Sequence, residues 1–286
     1  MKTYGFTQAI VMAIAVISLL FTACSPEEDV DIVDQPAKIS DEIMAQFKDL
    51  GFDVSDIAIT QGYDLLDPAL ESGNYLLESD IIITPDNLDK MLQSGIQHTG
   101  VVGEQYRTNN LVRGLPRTIS VIGYTGGGNA LDSKMRTGLQ RAINNYNNLN
   151  TRLNFTLTFG TNYQVYDIVV YRVSGGGGGS AGFPRDGDPY QFVQIQSGTS
   201  NFSTDVVEHV ITHEIGHCLG LRHTDFFDRS LSCGRGGNEG AGSVGAIHIP
   251  GTPTGFDANS VMLSCFSADE DGEFGRFDRE ALQFLY

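Results

Sequence analysis

The chain has 286 residues and carries 35 acidic against 18 basic side chains, a formal net charge of −17. That balance argues against nucleic-acid binding, which needs a basic face to displace counterions, and against electrostatic docking on anionic lipid. A 41% hydrophobic fraction with 16 Phe and 11 Tyr rules out a wholly disordered chain, and four cysteines are too few for a disulfide-built scaffold. The acidity is uneven. Residues 26–90 hold 17 acids and 3 bases, a balance of −14, while residues 91–286 hold 18 acids and 14 bases, a balance of −4. A boundary is expected near residues 90–100.

Residues 1–23 read as an address. Lys2 opens a short positive start, and residues 9–21 (AIVMAIAVISLLF) are apolar except for Ser18. That run is too short to span a bilayer stably and suits a signal peptide. Phe21-Thr22-Ala23-Cys24 resembles the lipobox of bacterial lipoproteins. The resemblance implies cleavage before Cys24 and its acylation, several chains on one residue giving a durable anchor. An ordinary secretory signal with an incidental cysteine is the alternative. The following Glu27-Glu28-Asp29 resembles the surface-export signal of some Gram-negative lipoproteins, or is a solvated linker. The expected location is the cell envelope, lipid-anchored to the outer membrane and surface-exposed, where disulfides persist.

Residues 24–39 read as an acidic tether, and residues 40–104 as a small α+β region or pro-segment. Ser40 begins a predicted helix with Ile43, Met44, Phe47 and Leu50 on one face and Gly51 as its stop. Strands are expected over 56–60 and 79–84, and a second helix from Pro85. No catalytic-looking cluster stands out here. Further on, a strand is expected over 118–124, then a helix capped by Asp132 or Ser133 and running to 148 with Met135, Leu139, Ala142, Ile143 and Tyr146 at helical spacing. Strands over 154–159, 167–173 and 191–196 follow. The five glycines 175–179 predict a flexible surface loop; no Lys-Ser/Thr follows, so a phosphate cradle is not supported.

Ser203 or Asp205 can cap a helix that carries His213-Glu214-Ile215-Gly216-His217, continued by Cys218-Leu219-Gly220-Leu221-Arg222-His223. His213 and His217 are one turn apart, so both imidazoles leave the same face at the spacing a tetrahedral zinc needs. Glu214 lies about 100° around the helix, where it flanks the metal without ligating it. Gly220 permits a sharp turn that returns His223 as third ligand. The fourth position is left open, the mark of a catalytic site. Three His, one Glu and one Gly at these spacings arise by chance roughly once in 10⁵ chains of this composition, so the signal is specific. His98, His209 and His248 have no partner at ligand spacing. Cys218 lies about 140° from His213 on the wheel and is expected to face away from the metal.

This pattern, with Ser260-Val261-Met262-Leu263 downstream, resembles the metzincin zinc peptidases. The literal HEIGH, the HTD that ends the motif, residues 249–255, Met262-Leu263-Ser264-Cys265 and residues 105–112 look like the bacterial dual-action HEIGH metallopeptidase family, over roughly residues 105–286. The resemblance implies an α+β fold: a twisted, mostly parallel sheet with a backing helix and an active-site helix, above a loop-rich lower subdomain with a C-terminal helix over 276–286. It implies one catalytic Zn²⁺ held by His213, His217 and His223, with Glu214 as general base and acid and Met262 as a hydrophobic floor. Ser264 stands two residues after Met262, so no tyrosine ligand is expected. No cysteine lies between Cys24 and Cys218, so a cysteine-based latency device is unavailable.

The expected activity is zinc-dependent endopeptidase action on extracellular proteins, with peptides added antiparallel to an edge strand at 191–196. A lipid-anchored binding or adhesion protein on an inactive scaffold is the alternative, and the intact Glu214 speaks against it. A hydrolase acting on non-peptide amides is a third reading. Cys233 and Cys265 are expected to pair, with pairings of either to Cys218 as the alternatives. Asp186 and Asp188 sit in a Gly-rich loop where some metzincins hold Ca²⁺; a plain turn is the simpler reading. Arg107, Arg113 and Arg117 are either processing sites or surface charges.

Overall fold

The computed structural model describes residues 39–60, 66, 73–93, 105–239, 246–253 and 255–286. The signal peptide, Cys24 and nearly all of the acidic tether lie outside the described residues. Those described fall in one compact unit.

The larger part is built on a five-stranded sheet of order β6-β5-β7-β9-β8. Strands β5 (Arg117–Tyr124), β6 (Leu153–Gly160), β7 (Ile168–Val173) and β9 (Phe192–Gln196) run parallel, and β8 (Gly179–Ser180) pairs antiparallel with β9. The strands that pair on both sides are nearly continuous apolar runs, as burial on two faces requires. Helix α3 (Ser133–Asn148) follows β5 and is capped by Asp132, whose carboxylate accepts from the Met135 N–H at 2.9 Å. Its apolar stripe packs on α4 (Thr204–Cys218), which is capped by the Ser203 hydroxyl. The two helices approach closely at Gly138, where a Cβ would lie 2.8 Å from Val207 Cγ1. The Tyr146 hydroxyl donates to the Thr212 carbonyl at 2.8 Å, fixing the depth of α4. From Val206 to Cys218 every residue of α4 is buried, so its functional side chains are aimed by packing on all sides.

The strand over 191–196 is β9, and it is interior. The edge of the sheet is instead the short β8, which the five-glycine run leads into. That run is not a loose loop: Gly177 N–H donates to Gln196 Oε1 and Gly178 N–H to Thr199 Oγ1, each at 3.0 Å, and Gly179 is buried.

The N-terminal part has its own small core. Helix α1 (Asp41–Asp49), the antiparallel sheet β1 (Ala58–Thr60), β2 (Asn74–Leu77), β3 (Ile81–Ile83), and helix α2 (Pro85–Gln93) enclose Phe47, Phe52, Leu77, Ile81, Ile83 and Leu88. Phe183, just beyond β8, is buried in this same cluster, so the two parts share apolar contacts. The strand expected over 79–84 is shorter than read. Glu78 and Ser79 adopt φ of 55° and 73°, unusual for non-glycine residues. They make the turn of the β2–β3 hairpin.

The chain then enters the larger part through β4 (Tyr106–Arg107), paired with β10 (Ile247–His248). Gln105 is fully buried and donates to Asp278 Oδ1 at 2.8 Å. Arg107 and Arg117 sit within β4 and β5, both half-buried, which makes them poor processing sites. Helix α5 (Ser230–Cys233) and helix α6 (Arg276–Leu285) complete the lower half. The Cys233–Cys265 disulfide is present, and Cys218 is a free, buried core residue as expected. Among the described residues no helix is long and apolar enough to cross a membrane.

On α4, Glu208 is 2% exposed, accepts from Asn145 Nδ2 at 2.9 Å and faces Arg141. Burial pushes its carboxyl up from 4.5 to about 7, against the opposing pull of Arg141. Folding therefore favours the neutral form. This contribution is full below the unfolded value and lost as pH rises through about 7. Urea unfolding at pH 5 and pH 8 will show wild type losing stability relative to Glu208→Gln as pH rises; a pH-independent difference would contradict the assignment.

Candidate metal centre and active site

Helix α4 ends at Gly220, whose φ is +100°. Gly220 N–H donates to the His217 carbonyl and Leu221 N–H to the Gly216 carbonyl, at 2.8 and 3.0 Å. This is the paired bonding of a Schellman turn. A Cβ on Gly220 would collide with the Asn110 carbonyl oxygen. The turn brings His223 back, so that the His213, His217 and His223 rings lie 4.7–5.3 Å apart between centroids.

Each imidazole is held by its Nδ1. His213 donates to the Val261 carbonyl and His217 to the Leu221 carbonyl, both at 2.9 Å, and His223 donates to Glu239 Oε1 at 3.0 Å. Such partners fix the tautomer and leave Nε2 free to ligate. The Nε2 atoms of His213 and His217 are buried without a hydrogen-bond partner. Buried polar atoms are rarely left so unless a ligand or ion completes them. The three histidines thus fit a zinc ion. Glu214, also buried, sits on the neighbouring face of the same helix, under β8. A Cβ on Gly179 would come within 2.6 Å of Glu214 Oε1.

A fourth ligand group comes from an unexpected place. Asp80, in the β2–β3 hairpin, joins the three histidines in a set whose ligand atoms lie within 4.8 Å of one another. Its Oδ2 is 3.0 Å from His223 Nε2 and 3.5 Å from His213 Nε2. Burial would raise the Asp80 carboxyl, but His223, His213 and His217 hold it well below the usual carboxylate range. Burial pushes Glu214 well above that range, and Asp80 adds to the effect. The N-terminal region, read from sequence as having no catalytic-looking cluster, therefore reaches the centre of the site. Residues flanking Asp80 pair with the sheet edge. Ala181 N–H donates to the Asp80 carbonyl at 2.9 Å and Ile82 N–H to the Ala181 carbonyl at 2.8 Å, with Ile81 and Ala181 bridged in parallel.

Four more residues, Glu78, Glu239, Arg229 and Asp225, had no role in the sequence reading. Glu239 holds His223 and, with Glu78, faces the fully buried Arg222 at 3.4 Å. Arg229 Nε lies 3.2 Å from Glu239 and its Nη2 donates to the Glu78 carbonyl at 3.1 Å. Asp225, the last residue of HTD, accepts from Ser264 N–H at 2.9 Å and from Ser264 Oγ at 2.8 Å. Only Asp225 had a sequence signal, as part of that motif. Met262 is fully buried beneath α4, where a Cβ on Gly216 would lie 2.5 Å from its Sδ. That close approach explains the glycine inside HEIGH. Asp278 accepts from Val261 N–H at 2.9 Å and Ser260 Oγ at 2.7 Å, tying α6 to the methionine turn. Asp186 and Asp188 instead face Lys90, Arg185 and Arg117. Among the described residues neither joins a group placed to hold a metal.

Three histidines aimed at one point, with a buried carboxylate beside them, are the chemistry of a zinc-dependent hydrolase. The chain belongs to the dual-action HEIGH metallo-peptidase family, whose model matches residues 75–286, and it is a zinc metallopeptidase. The match begins well before residue 105 and takes in the hairpin that carries Asp80. Two solved structures of myroilysin are similar, each at 13% identity and a TM-score of 0.40. One likeness covers 61% of this chain and 82% of that one, the other 72% and 98%. A comparison with curated proteins found no match.

Replacing Gly179 with Ala pushes a methyl group against Glu214. Misplacing a reacting group by about 1 Å costs on the order of 10²-fold in rate. Gly179→Ala is expected to lower kcat by that order while zinc stoichiometry, read by atomic absorption, stays at wild-type level; unchanged kcat would refute the contact.

Proposed function

We propose that this chain is a zinc metalloendopeptidase of extracellular proteins, anchored at the outer membrane through lipidated Cys24 and made with residues 40–104 as an inhibitory segment. The observation that carries the reading is the convergence of three Nδ1-anchored histidines on one point beside a buried Glu214. His213, His217 and His223 would hold the zinc, which would supply Lewis acidity toward a peptide carbonyl and a water molecule. Glu214 takes the proton from that water and delivers it to the leaving amine. Edge strand β8 supports an extended substrate added antiparallel, which favours internal segments over termini.

Latency rests on two features. The Asp80 carboxylate stands with the three histidines in one group able to hold an ion, where it would compete with water and substrate. The segment from Asp80 to Ile82 meets Ala181 in parallel, the reverse of an antiparallel substrate, so its own peptide bonds are presented backwards. Four acidic residues of this region, Asp53, Asp56, Glu78 and Asp80, face Arg222, Arg229 and His223. Part of the −14 balance of residues 26–90 thus serves the contact.

In the full-length zinc-loaded chain, Glu214→Gln is expected to abolish chelator-sensitive casein cleavage while zinc stays bound, and Asp80→Ala to raise it at least about tenfold. Turnover surviving Glu214→Gln would sink the catalytic assignment; equal activity with and without Asp80 would sink the latch. For the anchor, fatty-acid labelling of the expressed protein is expected and should vanish in Cys24→Ser, and an unlabelled wild type would refute it.

A further inference from the structure

Beside His213 and Glu214 a cavity of about 280 Å³ runs along the sheet edge, closed at the metal end by Ser79 and Asp80. It is lined further by His209 and Val210 of α4, by Arg235 and Phe266, and by Gly177–Gly179. Its position assigns it a role. A substrate antiparallel to β8 runs from the Ala181 end toward Gly177, so the residues that follow the cleaved bond are carried into this cavity.

Its chemistry is specific. Val210 and Phe266 are its apolar part, the carboxylates of Asp80 and Glu214 line its metal end, and Arg235 is its one arginine. Burial pushes the His209 imidazole down to about 3, so it is neutral, and its Nε2 is buried without a hydrogen-bond partner. Arg235 is exposed, and among the described residues no carboxylate lies within ion-pair distance of it. The other arginines near the site, Arg222 and Arg229, are already engaged by Glu78 and Glu239. Arg235 lies between Gly234 and Gly236, both at positive φ, two residues from the Cys233–Cys265 disulfide, and Cys265 itself lines the cavity. An exposed guanidinium lining such a pocket pairs best with a carboxylate.

We propose that Arg235 makes this cavity a subsite for an acidic side chain, so that the enzyme cleaves on the amino side of aspartate or glutamate. The proposal rests on the peptidase reading above. The test uses the full-length zinc-loaded chain carrying Asp80→Ala and three quenched-fluorescence peptides that differ only in Asp, Asn or Lys after the cleaved bond. The expected kcat/KM is at least about tenfold higher for Asp than for Asn. Arg235→Ala should bring that ratio near one, and Arg235→Glu should invert the order toward Lys. No acid preference in the parent, or a preference that survives both variants, overturns the proposal. Fluorescence anisotropy of the labelled peptides on the chain carrying both Asp80→Ala and Glu214→Gln reads the subsite without turnover. There the same order of affinity is expected, and equal binding of the Asp and Asn peptides overturns it. If the binding order holds but nothing is cleaved, the peptidase reading falls and the subsite stands.

Discussion

Three imidazoles can share one ion in a dry interior only if each keeps its second nitrogen satisfied. That constraint organises the whole lower half of this molecule. His213 needs the Val261 carbonyl, His217 needs the Leu221 carbonyl and His223 needs Glu239. Each partner comes from a different segment, so each segment must itself be fixed. Asp278 of α6 holds Val261 and Ser260, the Gly220 turn sets Leu221, and Arg222 with Arg229 holds Glu239. A loop-rich region with little regular structure is rigid here because its polar groups are consumed in aiming three rings.

Close approach is the second constraint. Four glycines stand where a methyl group would strike a functional element: Gly138 between α3 and α4, Gly179 over Glu214, Gly216 over Met262 and Gly220 against Asn110. The five-glycine run illustrates the point. By composition it is a floppy loop, but its last member begins the edge strand under which the Glu214 carboxylate lies.

The N-terminal region gives the charge distribution a structural meaning. Its hairpin turn accepts two left-handed non-glycine residues, an unfavourable backbone choice, and places Asp80 among the histidines and Glu78 beside Arg222. Acids that by counting alone mark a tether are, for Asp53, Asp56, Glu78 and Asp80, directed at specific cations of the larger part.

Helical periodicity places His213, Glu214 and His217 on adjoining faces of one helix, and a glycine three residues before His223 permits the turn that returns it. These are short-range consequences of 3.6 residues per turn and of glycine's freedom at positive φ, so they were legible in the chain, as were the strands β5, β6, β7 and β9 and both helix caps. The identity of the edge strand was not, because β8 is two residues long and has no hydrophobic pattern of its own; only the order of strands in the sheet reveals it. Asp80, Glu78 and Glu239 were equally silent. Each is a lone acid whose partners lie 143, 144 and 16 residues away, and no local rule links residues so far apart. The spacing of the motif decides which rings can converge, whereas tertiary packing alone decides what orients them, which carboxylate stands among them and where Arg235 lies.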